Sequence, residues 1–336
     1  MRRPEPHRPS SAVVCGIGAA LPPRTVSNTD LAAELGTDDA WIRTRTGITH
    51  RHIAGTDATT EDLATRAAAH ALESAGTRQA GALILATATP DHQLPATAPA
   101  VAARLGLTAI PAFDIAAACT GFLYALATAA GFIAGGTADM VLVIGADRIS
   151  HLLDPGDRTT RPIFGDGAGA VLLRRGSPGE PGALGPLMLG SDGTHHDLLK
   201  APHGGHLRMD GPALFRHAVD RMRSASQDAA HAAGWRTDDI DRLVPHQANA
   251  RITNAVADRL GIPPEGRLQN IQHVGNTSAA SIPLLLAQAC ADRRITAGHR
   301  LLLTAFGAGL TWGATTLTWP DLTTSQPPTS PAPENP

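Results

Sequence analysis

Apolar runs of strand length recur along the chain at 12–20, 82–88, 111–116, 140–146 and 168–173. Between them lie stretches of helical period, the clearest at 61–75, where Leu63, Ala67, Ala68, Ala71 and Leu72 share one face. Thr59 with Asp62 forms a capping-box pattern ahead of it, and Gly76 suits a left-handed stop. After the Pro/Gly-rich stretch 176–185 the order begins again with a strand at 187–189 and a long helix at 213–233. A strand then runs to Val244, followed by a helix carrying Ile252, Val256 and Leu260 and stopped by Gly261. A helix after Ser281 and strands at 300–305 and 314–319 complete the pattern. Pro283 fits if Ser281 caps that helix and the proline lies in its first turn. The alternation predicts α/β layers with a mainly parallel sheet. Its repetition predicts two similar halves, 12–177 and 178–320, between a disordered lead (1–11) and a disordered tail (321–336) too poor in large apolar groups to offset ordering entropy.

Composition narrows the classes of function. With 336 residues and 43% hydrophobic content the chain can bury a large core or two fused ones. A formal net charge of -2, with no basic block interleaved with aromatics, argues against a nucleic-acid surface. The three cysteines, Cys15, Cys119 and Cys290, stand far apart without metal-ligand spacing, which points to a reducing, cytoplasmic setting rather than a disulfide framework. No apolar stretch of signal-peptide length follows Arg2, Arg3 and Arg8 directly. The uncharged run 115–138 is long enough to span a bilayer, but it is rich in Ala, Gly and Thr and lacks basic flanks, so it reads as a helix buried in a core. His195, His196, His203 and His206 sit among glycines and a proline without a nearby cysteine, so no metal site is expected there. The Gly165 to Gly169 alternation lacks the Gly-Lys-Ser/Thr ending of a phosphate loop and reads as a tight turn with close backbone packing.

The candidate chemistry lies at strand ends. Cys119 follows the run to Ala118 and precedes a helix, where free N–H groups and the helix dipole favour a thiolate. His246 closes Leu243-Val244-Pro245, and Asn276 follows His273-Val274-Gly275. Thiolate, imidazole and amide together suit acyl chemistry on a thioester. With the nucleophile in one half and its partners in the other, the site falls at their junction. Each residue has a plainer reading: a packed cysteine, as for Cys15 and Cys290, a satisfied strand-end histidine, and a turn asparagine beside glycine.

Four ordered motifs carry a resemblance: Ala116-Ala117-Ala118-Cys119-Thr120-Gly121-Phe122, Val244-Pro245-His246-Gln247-Ala248-Asn249, Gly275-Asn276-Thr277-Ser278-Ala279-Ala280-Ser281 and Phe306-Gly307-Ala308-Gly309-Leu310-Thr311-Trp312-Gly313. With Trp41-Ile42-Arg43-Thr44-Arg45-Thr46-Gly47 and Phe164-Gly165-Asp166-Gly167, they resemble β-ketoacyl-acyl-carrier-protein synthase III over nearly all of 11–319. The resemblance implies a thiolase-like αβαβα five-layered sandwich of two duplicated halves, and a homodimer. It implies an acyltransferase that takes an acyl-CoA primer onto Cys119 and condenses it with malonyl-acyl-carrier protein, releasing CO₂. Acyl-CoA is then a substrate and no cofactor is implied.

The same likeness assigns further residues. The oxyanion donors are the N–H groups of Cys119 and Ala308, the latter usually glycine, so alanine requires φ below zero. His246 and Asn276 donate to the enolate oxygen. Trp41, Arg45 and Arg158 flank the adenine of coenzyme A, and Phe215 and Asn249 line its pantetheine tunnel. Arg216, Arg251 and Arg259 form the carrier-protein docking face, with Asp258 where another base is usual. Leu94 closes the partner subunit's acyl pocket and, being smaller than the usual aromatic, leaves room for longer or branched primers. The alternatives are a thiolase-fold acyltransferase acting on a hydroxyl or amine, disfavoured by an asparagine rather than an acid at 276, and a non-catalytic partner subunit, disfavoured by the presence of Cys119, His246 and Asn276.

Overall fold

The computed structural model describes residues 10–324. In chain order its main elements are β1 (Ser11–Ala20), α1 (Asp39–Thr46), α2 (Thr60–Ser74), β2 (Ala82–Ala86), α3 (Ala98–Arg104), β3 (Ala112–Ile115), α4 (Gly121–Ala134), β4 (Met140–Arg148) and β5 (Asp166–Gly176). The second half adds β6 (Met188–Ser191), α5 (Gly211–Ala232), β7 (Arg242–Pro245), α6 (Ala250–Leu260), α7 (Ser281–Ala291), β8 (Arg300–Gly307) and β9 (Thr311–Thr318). The first half builds one sheet in the order β1-β5-β4-β2-β3, and the second builds another in the order β7-β8-β9-β6. Helices α4 and α7 lie between the sheets, α2 and α3 cover the outer face of the first, and α5 and α6 cover the second. This is the αβαβα sandwich.

The central layer explains the long uncharged run. Within α4, Phe122, Leu123, Leu126 and Ile133 are almost wholly buried, each worth about 1.5–3 kcal/mol of transfer free energy. At 14 residues α4 is a core helix, and no helix among the described residues is long and apolar enough to cross a membrane. Helix α2 starts as its pattern indicates, with reciprocal Thr59–Asp62 capping, and Gly76 takes φ +64 after it.

Three expectations are corrected. The sheets are mixed rather than mainly parallel: β2 runs parallel to β3 and β4, and β7 to β8, while β1–β5, β4–β5, β8–β9 and β9–β6 are antiparallel. Ser281 is the first residue of α7 rather than its cap, and its hydroxyl instead accepts the Gln247 N–H at 2.7 Å. Gly165 to Gly169 forms no turn but enters β5, packed so closely that a Cβ at Gly165 would lie 2.3 Å from the Val274 carbonyl oxygen. At the ends, Ser11 already pairs with Gly176, whereas the rest of the expected lead up to residue 9 lies outside the described residues. The start of the expected tail is held to the body: the Cys290 thiol donates to the Leu322 carbonyl at 3.3 Å and the Ser74 hydroxyl to that of Thr323 at 2.7 Å. Residues 325–336 lie outside the described part.

Candidate active site

Strand β3 hands the chain to a short turn, Ala118–Thr120, that leads directly into α4 and carries Cys119. Ala118 adopts φ +45 there, a costly conformation for a residue with a Cβ. The end of β8 presses on this turn. A Cβ at Gly307 would fall 2.9 Å from the Cys119 nitrogen, so only glycine permits the approach. The Thr120 and Thr311 hydroxyls meet at 2.7 Å, and Thr311 also donates to the Ala308 carbonyl at 3.0 Å, which ties the 308–311 loop to the nucleophile's turn. Ala308 is not among the residues with positive φ, so its methyl group is accommodated.

Burial pushes the Cys119 thiol up to about 12, with the Ser278 hydroxyl opposing. Burial thus opposes the thiolate that the helix N-terminus favours and pulls this thiol toward its neutral form.

His246 follows β7, with its N–H donating to the Thr304 carbonyl at 2.8 Å. Its ring is buried, Nδ1 has no partner among the described residues, and desolvation pulls its pKa down to about 3. A neutral imidazole results, with one N–H to donate. Asn276 is clamped through its backbone, its N–H reaching the Ile163 carbonyl at 2.8 Å and its carbonyl accepting the Gly165 N–H at 3.0 Å. Its Oδ1 accepts the Ser278 N–H at 2.9 Å, which leaves the amide Nδ2 donors free. Cys119, His246 and Asn276, from distant segments, all line one cavity of about 900 Å³.

Toward the mouth the same cavity is lined by Trp41, Arg45, Arg158, Phe215, Arg216 and Arg251. The Trp41 ring has the Arg45 guanidinium 4.3 Å and that of Arg158 5.8 Å from its centroid, and Arg251 lies 5.8 Å from Phe215. Asn249 also lines the cavity, but its polar ends are engaged: Oδ1 caps α6 through Arg251 N–H at 2.9 Å, and Nδ2 donates to the Arg45 carbonyl at 3.0 Å. It braces the wall more than it offers a contact. Arg259 lies outside the lining and pairs with Asp220, while Asp258 pairs with Arg267 at 2.8 Å. Leu94 is likewise absent from the lining and stands 87% exposed. His195 packs on His217, with ring centroids 4.5 Å apart, and His196, His203 and His206 are exposed.

Sequence reasoning missed Gly307, Ser278 and Asp147. Gly307 had a signal in the Gly-Ala-Gly run, whereas Asp147, the acid that ends the apolar run of β4, had none.

A five-layered sandwich with a cysteine at a central helix N-terminus, facing histidine and asparagine from the other half, defines a thiolase-fold enzyme of acyl transfer and condensation. Models of 3-oxoacyl-acyl-carrier-protein synthase III match residues 113–193, and of its C-terminal part residues 230–319. The chain is 52% identical over 327 residues to β-ketoacyl-acyl-carrier-protein synthase III 3 of Streptomyces coelicolor, covering 92% of this chain and 98% of that one. It superposes with a TM-score of 0.91 on the crystal structure of the synthase III of Pseudomonas aeruginosa, at 52% identity and covering 93% and 99% of the two chains. With the priming β-ketosynthase of a polyketide pathway it shares 35% identity and a TM-score of 0.88, over 96% and 99% of the chains. The chain belongs to the β-ketoacyl-acyl-carrier-protein synthase III family.

Proposed function

We propose that this enzyme loads a short acyl group from acyl-CoA onto Cys119 and condenses it with malonyl-acyl-carrier protein. The reading rests on one observation: a thiol, an imidazole and a carboxamide with its oxygen already engaged, from three distant segments, share one cavity.

In the first half-reaction the Cys119 sulfur attacks the thioester carbonyl, and the N–H groups of Cys119 and Ala308 receive the oxyanion. The thiol proton leaves as the carbon–sulfur bond forms, and the coenzyme A sulfur departs with a proton. In the second, the malonyl carboxylate leaves as CO₂ and its electron pair becomes an enolate. His246 N–H and Asn276 Nδ2–H donate to that enolate oxygen, and neutral donors stabilise it without quenching the carbanion. The α-carbon attacks the acyl-cysteine carbonyl and expels the Cys119 thiolate, giving 3-oxoacyl-carrier protein, and the thiolate takes up a proton from solvent to restore the thiol. No step asks for a resident cofactor.

In this reading the mouth arginines Arg45, Arg158, Arg216 and Arg251 receive the anionic coenzyme A and the acidic carrier, with Trp41 and Phe215 as their flat supports. Arg259 contributes less, being paired. The enzyme works as a homodimer, a reading supported by the edge position of β3, its half-buried Phe113 and Ile115 and the exposed Leu94, and in the cytoplasm, a reading supported by its three unpaired cysteines.

Intact-mass measurement after exposure to a panel of acyl-CoAs, followed by CO₂ release from malonyl-carrier protein, tests the reading. Wild type is expected to gain one acyl mass and then release CO₂, and Cys119→Ala to do neither. Acylation without CO₂ release would instead mark an acyltransferase acting on another acceptor.

A further inference from the structure

Outside the cavity lining, Asp147 is wholly buried at the end of β4. Burial holds its carboxyl above the ordinary range, opposed by hydrogen bonds from Ala88, the Ser278 side chain, Ala279 and Thr89. Its two oxygens face in different directions. Oδ1 accepts from the Ala88 N–H at 2.7 Å and the hydroxyls of Thr89 at 3.0 Å and Thr87 at 3.2 Å, at the root of the loop that carries Leu94. Oδ2 accepts the Ala279 N–H at 3.0 Å.

Ala279 lies in the turn Ser278–Ala280, whose first residue, Ser278, is held at φ +52. A non-glycine residue stays in that region only where its neighbours hold it. The Ser278 N–H is the group that occupies Asn276 Oδ1, and so decides which end of the carboxamide faces the cavity. Strand β4 backs the turn so tightly that a Cβ at Gly145 would lie 2.2 Å from the Ala279 carbonyl oxygen.

We propose that Asp147 is a positioning residue for carbanion formation: through the Ala279 N–H it holds the 276–279 turn, and with it the donor face of Asn276. The proposal rests on the condensation reading above. Asp147→Asn keeps the shape, and because three donors (Ala88 N–H and the Thr87 and Thr89 hydroxyls) hold its amide oxygen on the Oδ1 side, it sets an NH₂ against the Ala279 N–H. CO₂ release by the preloaded acyl-enzyme is then expected to fall about tenfold to a hundredfold, as a displaced catalytic donor would cause. Loading of Cys119 from acyl-CoA should change by a clearly smaller factor than CO₂ release, because that step does not use the Asn276 amide and meets Asp147 only through the Ser278 hydroxyl and the charge near the thiol. Equal falls in both half-reactions, or no fall in either, would overturn the proposal. If Asp147→Asn does not fold, the Thr87→Val/Thr89→Val double variant strips two donors from Oδ1 and leaves the Ala279 bond intact. It should keep the wild-type ratio of the half-reactions, and a selective fall in CO₂ release would show that the loop root carries the effect, which also overturns the proposal. Wild type that acylates and releases no CO₂ would fail the condensation reading instead.

Discussion

Desolvation drives both reacting side chains toward neutrality, the thiol by raising its pKa and the imidazole by lowering it. With Cys119 near 12, the rate of its alkylation by iodoacetamide is expected to climb with pH from about 6 to 9 without levelling. A plateau below pH 8 would show that the helix N-terminus outweighs burial. His246 leaves its mark on stability. Its folded pKa of about 3 lies below the ordinary 6.5, so between those values the unfolded chain binds the extra proton. Stability from this group is therefore full above about 6.5 and falls on acidification by about 1.4 kcal/mol per pH unit. Asp147 and Asp166, held above the ordinary carboxyl range by burial, act in the opposite sense, so the comparison must be between wild type and His246→Gln. In urea unfolding from pH 6 to 4 the variant should show the shallower decline. Strand-end placement made the three site residues candidates, and the four ordered motifs of the family resemblance made them legible as a set. Their protonation was not legible, since it depends on how completely the other half covers them.

Each helix of the central layer is entered through a short turn whose first residue takes positive φ, Ala118 before α4 and Ser278 before α7. The duplicated halves thus place the nucleophile and the Asn276 turn as counterparts across the seam. The pattern of apolar runs revealed α4 as a buried helix, because apolar character on all faces has no other home in a soluble fold. It did not reveal strand direction. Between β4 and β5, and between β8 and β9, the linking segments hold no crossover helix, and without one neighbouring strands return antiparallel. Close packing of helix on strand was also only half visible. A Cβ at Gly18 would lie 2.3 Å from the Ala67 carbonyl oxygen and 2.4 Å from the Ala71 nitrogen, both backbone atoms of α2. Gly18→Ala must push that helix off β1, and thermal unfolding should register a loss of about 1–3 kcal/mol. A change under about 0.5 kcal/mol would mean that α2 is free to shift.

At the scale of the whole molecule one feature of a single chain is unresolved by its own packing: a large apolar side chain, Leu94, stands 87% exposed on a loop whose root is fastened by Asp147. The sheet edge at β3, which carries Phe113 and Ile115, lies in the same half. If in the proposed homodimer this edge met its counterpart and Leu94 entered the other subunit's acyl pocket, primer length would be set in trans. Leu94→Phe adds bulk there and should shift the preferred primer to fewer carbons in the intact-mass panel. Mixed dimers separate this from any effect within one chain. When Leu94→Phe is placed on the Cys119→Ala subunit, every acyl group detected sits on a wild-type chain. A shortened preference on that chain is the expected result, because the intruding ring comes from its neighbour. An unchanged preference in the mixed dimer, with a shortened one when Leu94→Phe and Cys119 share a chain, would place the closing side chain in cis and refute the intersubunit arrangement.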